Sequence, residues 1–150
     1  MSALILRAIN PGDREAWEAS FRGYRDFYNM PHDPEVIERV WGWLNDPEHE
    51  TRGIAAVIGG KAVGIAHFRT FARPLAGGTG LYLDDLFTNP EVRGQGIATA
   101  LLGRLGTIAQ VEGASVVRWI TAESNTAARS IYDRVASATP WVTYDLAPAA

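Results

Sequence analysis

The spacing of apolar positions along this chain changes period several times, and each change marks an element. Ala3 to Ala8 is a short apolar run that reads as a strand, and Pro11-Gly12-Asp13 ends it and opens a helix. Trp17, Phe21, Tyr24 and Tyr28 then recur at helical spacing. Asn29 to Pro34 interrupts the pattern. A second helix carries Val36, Ile37, Val40, Trp41 and Leu44 along one stripe, until Asp46-Pro47 stops it. Ile54–Ile58, the turn Gly59-Gly60 and Ala62–Phe71 read as a β-hairpin. Arg73-Pro74 to Gly80 reads as a glycine-rich loop, and Leu81–Thr88 as a further strand halted by Asn89-Pro90. The helical period returns from about Gly96 with Ile97, Leu101, Leu105 and Ile108, and Gly113 is its natural stop. Ser115–Ile120 reads as a strand. Ser124 or Asn125 caps a last helix through Ala128, Ile131, Tyr132 and Val135. Trp141–Leu146 reads as a closing strand. The order β-α-α-β-β-β-α-β-α-β, with no internal repeat or linker, predicts one α+β domain over residues 1–150. Its mixed sheet carries helices on its faces.

Composition narrows the functional classes. The chain has 150 residues, 47% of them apolar and 21% charged, enough for one well-packed core. It has no cysteine, which excludes a disulfide framework, a thiolate zinc site and a cysteine nucleophile. That composition fits a reducing, cytoplasmic setting. No leader-like segment or bilayer-length apolar run is evident, so no membrane partner is expected. The formal net charge of −3 argues against a nucleic-acid partner and is compatible with a cationic substrate. The three histidines, His32, His49 and His67, lack metal-ligand spacing, so no metal is expected. His67 alternates with apolar residues. It reads as a hydrogen-bonded sheet histidine more readily than as a substrate contact.

The most informative stretch runs from Asp85 to Ala98, where a strand gives way to a helix through Arg93-Gly94-Gln95-Gly96-Ile97-Ala98. The first N–H groups of a helix lack intrahelical partners, and the dipole adds positive character there. Small residues admit a phosphate close to the backbone, and Arg93 adds a cation suited to it. Gly-x-Gly alone also serves as an ordinary tight turn. The third small residue falls too early for a dinucleotide fingerprint, and no Gly-Lys-Ser/Thr follows to make a P-loop. Arg93-x-x-Gly96-x-Ala98 resembles the signature Arg/Gln-x-x-Gly-x-Gly/Ala of the GNAT superfamily of N-acetyltransferases. The flanking Asp85-Leu86-Phe87-Thr88-x-Pro90-Glu91 and the downstream Asn125-x-x-Ala128-x-x-x-Tyr132 are similar to that family as well. The element order is similar over nearly the whole chain, and the C-terminal half is similar to the histone- and polyamine-type branch.

The resemblance implies an acyl-CoA N-acyltransferase fold: a mostly antiparallel central sheet, splayed where the donor enters, with helices on both faces. Acetyl-CoA is implied as acyl donor. The backbone of Arg93, Gly94, Gln95, Gly96, Ile97 and Ala98 would hold its pyrophosphate. Leu86, Phe87 and Thr88 would pair with the pantetheine amides, Asn125 would contact that arm, and Ala128 would leave room for it. Tyr132 would hydrogen-bond or protonate the departing sulfur, as a phenol of pKa about 10 can at neutral pH; helical spacing alone would equally make it a core aromatic. Strand alternation puts Tyr82, Asp84 and Leu86 on one face and Leu83, Asp85 and Phe87 on the other. On the resemblance, Asp84 is the expected general base or an electrostatic attractor of the amine. Asp85 is expected to make structural hydrogen bonds, unless a bulge reverses the two.

The implied reaction is acetyl transfer to a primary amine by direct attack, with a small amine as acceptor. Two other readings stand beside it: a non-catalytic acyl-CoA sensor, and an acetyltransferase of protein lysines or N-termini. The aromatics of the first two helices, with Asp26, Asp33 and Glu35, fit a cation cage or, more simply, a packed core. The chain departs from many family members after Val135. It continues Ala136-Ser137-Ala138-Thr139-Pro140-Trp141 into a lone strand, for which a second subunit would provide an edge, so a homodimer is expected.

Overall fold

A computed structural model describes residues 3–150. Its strands are β1 (Leu4–Ala8), β2 (Arg52–Ile58), β3 (Lys61–Arg73), β4 (Gly78–Thr88) and β5 (Val117–Arg118). Its α-helices are α1 (Arg14–Phe27), α2 (Pro34–Leu44), α3 (Ile97–Glu112) and α4 (Thr126–Val135). The chain divides into two compact units, the first ending at Ile120 and the second being Thr121–Ala150.

In the first unit the strands lie in the order β1-β2-β3-β4-β5. All neighbours are antiparallel except β4 and β5, which are parallel. Side chains alternate across the sheet, so β3 sends Ile65 and His67 to one face and Gly64, Ala66 and Phe68 to the other. Trp17 and Phe21 of α1, with Ile37 and Val40 of α2, form a core with Ile65 on the first face. α3 covers the second. A Cβ on Gly64 would stand 2.8 Å from Ile97 Cγ2 and 3.3 Å from Leu101 Cδ1, so the absent side chain is what lets α3 seat there. Gly23 plays the same part for α1, where a Cβ would meet the Phe87 ring at 2.8 Å.

Local sequence explains the boundaries. Asn10 and Asp13 form a reciprocal capping box ahead of α1, and Asp13 also takes a two-pronged contact from Arg7 at 2.7 and 2.9 Å. Asp33 accepts the N–H of Glu35 at the start of α2. Gly113, at φ 74°, ends α3 as its sequence predicts.

Three expectations change. The loop assigned to residues 73–80 shrinks to a 3-10 turn at Pro74–Ala76 and Gly77, because Gly78, Thr79 and Gly80 are strand and pair with Arg73, Ala72 and Phe71. The Phe71 ring lies where a Cβ of Gly80 would be, so glycine here makes room for a neighbour rather than breaking the strand. The strand assigned to 115–120 contracts to Val117–Arg118, because β5 follows β4 for only two residue pairs. The closing strand over 141–146 is absent. A strand exists by pairing, and this segment pairs with no strand of the described chain. Trp141, Val142, Tyr144 and Leu146 are all strongly exposed. In the second unit the ordered element is α4.

Candidate active site

A β-bulge in β4 organises the site. Asp85 pairs with His67 and Leu83 pairs with Phe68, so Asp84 is an extra residue with no partner on β3. The expected simple alternation of residues 82–87 is therefore wrong. Leu83 goes with Phe68 into the α3 face, whereas Tyr82, paired with Arg69, and Asp85, paired with His67, share the α1 face. The bulge also turns out Asp84, whose carboxylate lies 3.1 Å from Arg69 Nε. The Tyr24 hydroxyl donates to the Asp84 carbonyl at 3.3 Å. Burial raises the Asp84 pKa above the usual aspartate value, and the Arg69 hydrogen bond opposes that shift without cancelling it.

Asp85 has a different environment. Trp17 Nε1 donates to His67 Nε2 at 2.9 Å, and His67 Nδ1 lies 2.8 Å from Asp85 Oδ2. An indole N–H can only donate, so His67 Nε2 must accept and the ring proton sits on Nδ1, directed at Asp85. His67 is 1% exposed, a hydrogen-bonded sheet histidine as its position suggested. The Tyr24 phenol is shifted up, first by burial and then by the nearby Asp85 charge. Trp17 and Phe21 are buried and stack on each other in the core, which removes them from any cation cage, while the half-buried Trp41 carries the Arg14 guanidinium.

Beyond Tyr82, β5 no longer accompanies β4, so residues 83–88 are paired on the β3 side only. On the edge of Leu86, Phe87 and Thr88 that faces away from β3, β5 supplies no partner, and the Thr88 carbonyl is taken by the Arg93 side chain. Next comes the turn. Asn89 caps a short 3-10 segment, Pro90–Val92, by accepting the Glu91 N–H at 3.0 Å. Arg93 is extended, donates from Nε to the Thr88 carbonyl at 3.1 Å and lies over the Phe87 ring. Gly94 and Gly96 have φ 81° and 79°, left-handed values that glycine adopts without steric cost. No protein atom lies within 4 Å of where a Cβ would stand on either. Gly96 starts α3 with no side-chain cap, and the first intrahelical bond is from Ala100 to Gly96. The N–H groups of Ile97 and Ala98 therefore lack helical acceptors, while the Ile97 side chain is buried beneath them. An open groove of about 540 Å³ runs beside this turn, lined by Gly23, Phe87, Asn89, Arg93 and Lys61 among others. The turn thus leaves the first N–H groups of a helix without helical acceptors, next to Arg93.

Asn125, Ala128 and Tyr132 belong to the second unit. Asn125 caps α4, its side chain accepting the Ala128 N–H at 3.3 Å. The spacing of three and four residues puts all three on one stripe of α4, each half-buried. Among the described residues, no three His, Asp or Glu side chains converge as a metal site. His32 contacts Arg22, and His49 stacks on Trp43.

Sequence reasoning passed over Arg69, Tyr82 and Arg118, which lie side by side across three strands. The signal was present as the period-2 run Arg69, Phe71, Arg73, but only the sheet register shows what lies next to it.

Comparison with known proteins agrees with this geometry. Residues 15–136 match the model of the acetyltransferase (GNAT) family. The D-amino-acid N-acetyltransferase HPA3 of Saccharomyces cerevisiae is 28% identical over 143 residues, 94% of this chain and 89% of the yeast protein. Among solved structures, a ribosomal-protein-alanine N-acetyltransferase from Brucella melitensis biovar Abortus 2308 superposes with a TM-score of 0.84 at 21% identity, over 97% of this chain and 99% of that one. The aminoglycoside N-acetyltransferase AAC(6')-Iy, solved in complex with CoA, gives 0.85 at 16% identity, over 99% and 97%. The bulged strand, the splayed edge and the glycine turn thus sit in a chain that belongs to the acetyltransferase (GNAT) family and is an N-acetyltransferase.

Proposed function

We propose that the protein transfers the acetyl group of acetyl-CoA to the primary amine of a small acceptor by direct attack, as one domain over residues 1–150. The family match, which runs from the first unit into the second, supports the single domain. One observation carries the reading: β4 and its continuation present Asp84 on a bulge, then the open edge of Leu86–Thr88, then the Arg93–Ala98 cradle. That order suits a linear donor with a thioester at one end, amides along its arm and a pyrophosphate further on.

In this reading the arm pairs with Leu86, Phe87 and Thr88 as an added strand. Arg93 and the N–H groups of Gly94, Gln95, Gly96, Ile97 and Ala98 hold the pyrophosphate. Asn125 and Ala128 contact the arm. Asp84 takes the proton of the incoming ammonium, a role that its raised pKa and its position on the bulge support. Tyr132 gives a proton to the departing sulfur. No acyl-enzyme forms on a cysteine, because the chain has none. The activity of the yeast relative on D-amino acids supports a small amine rather than a protein acceptor. The exposed Trp141–Leu146 segment supports a homodimer, in which a second copy provides the edge this segment lacks. The absence of cysteine supports a cytoplasmic setting; no helix of the described residues is long and apolar enough to cross a membrane.

The test is acceptor-dependent release of free CoA from acetyl-CoA across amino acids, polyamines, aminoglycosides and lysine peptides, with Tyr132→Phe alongside. Release with small amines, slowed in the variant, is expected. Release with peptides alone would make the protein a protein acetyltransferase. Calorimetric CoA binding without release for any acceptor would make it a sensor.

A further inference from the structure

On the α1 face of the sheet, the row formed by Arg69 of β3, Tyr82 of β4 and Arg118 of β5 is continuous, since Tyr82 is the register partner of both arginines. Register partners share a face, and so do residues two apart on one strand. Phe71 and Arg73 therefore extend the same row along β3. The parts interlock. Arg69 lies 4.8 Å over the Tyr82 ring, Tyr82 meets Phe71 edge to face at 6.1 Å, and Arg118 stands 5.5 Å from the Phe71 ring. α1 covers this face as far as His67, whose ring meets Phe21; beyond that point Arg69, Phe71, Arg73, Tyr82 and Arg118 are half-exposed.

The charge balance of this platform is unusual for the chain. Three guanidiniums stand beside Asp84, with Asp85 next along the same face and hydrogen-bonded to His67, in a protein whose net charge is −3. Among the described residues, Arg73 and Arg118 have no carboxylate in ion-pair range, and Arg73 is tied instead to the Ser115 hydroxyl. Aromatic faces hold the Arg69 and Arg118 guanidiniums in place; Arg69 Nε is taken by Asp84, and the terminal N–H donors of both arginines remain for a ligand. The platform adjoins Asp84, the residue to which the proposed reaction delivers the amine. An acid and a pair of fixed cations, side by side, complement a small molecule carrying an ammonium and a carboxylate a few ångströms apart.

We propose that the acceptor is an amino acid, its carboxylate bound by Arg118 and Arg69 on this platform and its amine directed to Asp84. The inference rests on the N-acetyltransferase reading above and adds the acceptor's second functional group. Chemically, the ammonium gives a proton to Asp84 and its nitrogen forms the new bond to the acetyl carbonyl carbon. The carbon–sulfur bond breaks and sulfur leaves as thiolate; the second proton, lost by the nitrogen as it becomes an amide, balances the one that converts the thiolate to thiol, and the first, on Asp84, returns to solvent. The products are an N-acetyl amino acid and free CoA. The carboxylate takes no part in bond making; it sets the register of the amine.

The test compares three acceptors that share a side chain: an amino acid (both enantiomers), its carboxamide and the decarboxylated amine. Each is assayed by CoA release with wild-type, Arg118→Met and Arg118→Lys proteins. Charged hydrogen bonds of this kind correspond to roughly tenfold to a hundredfold in kcat/KM. The expected result is an amino acid favoured over its amide by at least about tenfold, through KM. Arg118→Met should erase that preference, raising the KM for the amino acid by far more than that for the amide or the amine, and Arg118→Lys should restore part of it. Equal or better use of the amide or amine by the wild-type protein overturns the proposal while leaving the acetyltransferase reading intact. An equal loss on all three acceptors in Arg118→Met also overturns it. Absence of release with every acceptor, CoA binding notwithstanding, overturns both.

Discussion

Replacing His67 by leucine tests whether the Trp17–His67–Asp85 chain holds the site together. The substitution strands the Trp17 indole N–H, on a ring that is 0% exposed, and withdraws the donor 2.8 Å from the Asp85 carboxylate. An orphaned buried donor costs about 1–3 kcal/mol, and a lost hydrogen bond to a charged group about 1.5–3 kcal/mol. Asp85 is partly exposed and water recovers some of the second amount, so the expected loss is roughly 3 kcal/mol. Against a total stability of about 5–15 kcal/mol for a domain, this is a large fraction. Urea denaturation followed by tryptophan fluorescence reads it as a lower midpoint at unchanged slope. A double-mutant cycle isolates the buried donor. In a Trp17→Phe background there is no indole N–H to strand, and the cost of His67→Leu should fall by about 1 kcal/mol or more. A loss below about 1 kcal/mol for the single variant, or full additivity in the cycle, would refute the reasoning.

Other consequences are equally open to measurement. With Asp84 as base, kcat falls on acidification as its carboxylate takes up a proton, and the acid limb lies above the ordinary aspartate value of about 3.9. Arg69→Met removes the cation that opposes the shift, so the limb moves to higher pH; a limb that stays put identifies another group as the base. Gly96→Ala forces alanine to φ 79° at a cost of about 1–2 kcal/mol and sets a methyl where no protein atom lies within 4 Å. The KM for acetyl-CoA should therefore rise severalfold while the thermal unfolding remains cooperative. Trp141→Lys combined with Tyr144→Lys should convert the proposed dimer to monomer in sedimentation velocity, and an unchanged sedimentation coefficient removes this segment from the interface.

Much of the fold was legible because its signals are local. Gly59-Gly60 between two apolar runs specifies a hairpin, Gly113 specifies a helix end, and Arg93 to Ala98 specifies a glycine turn into a helix, each within a few residues. The bulge was not legible. Tyr82-Leu83-Asp84-Asp85-Leu86-Phe87 fits an unbroken strand just as well, and only the pairing with His67 and Phe68 shows which aspartate is extra. The same dependence on a distant strand hid the Arg69–Tyr82–Arg118 row. Trp141 to Leu146 failed as a strand for a related reason: β-propensity records a side-chain preference, while a strand also needs a neighbouring edge. Asn125 was foreseen both as a cap and as a ligand contact, and its side-chain oxygen does cap the Ala128 N–H.

The notch at Gly64 has a thermodynamic consequence for the cradle. Two left-handed glycines in one turn would ordinarily be a loose hinge, since glycine loses more backbone freedom on ordering than any other residue. Immediately after them, Ile97 at 3% exposure and Leu101 at 0% are locked against β3 through the space Gly64 leaves. The entropy of ordering the turn is thus largely spent when the protein folds. On the proposed function, a polyphosphate at Arg93–Ala98 would meet donors already in position, and more of its interaction energy would remain as affinity. A methyl group on Gly64 would press on Ile97 and Leu101 and loosen that arrangement from behind.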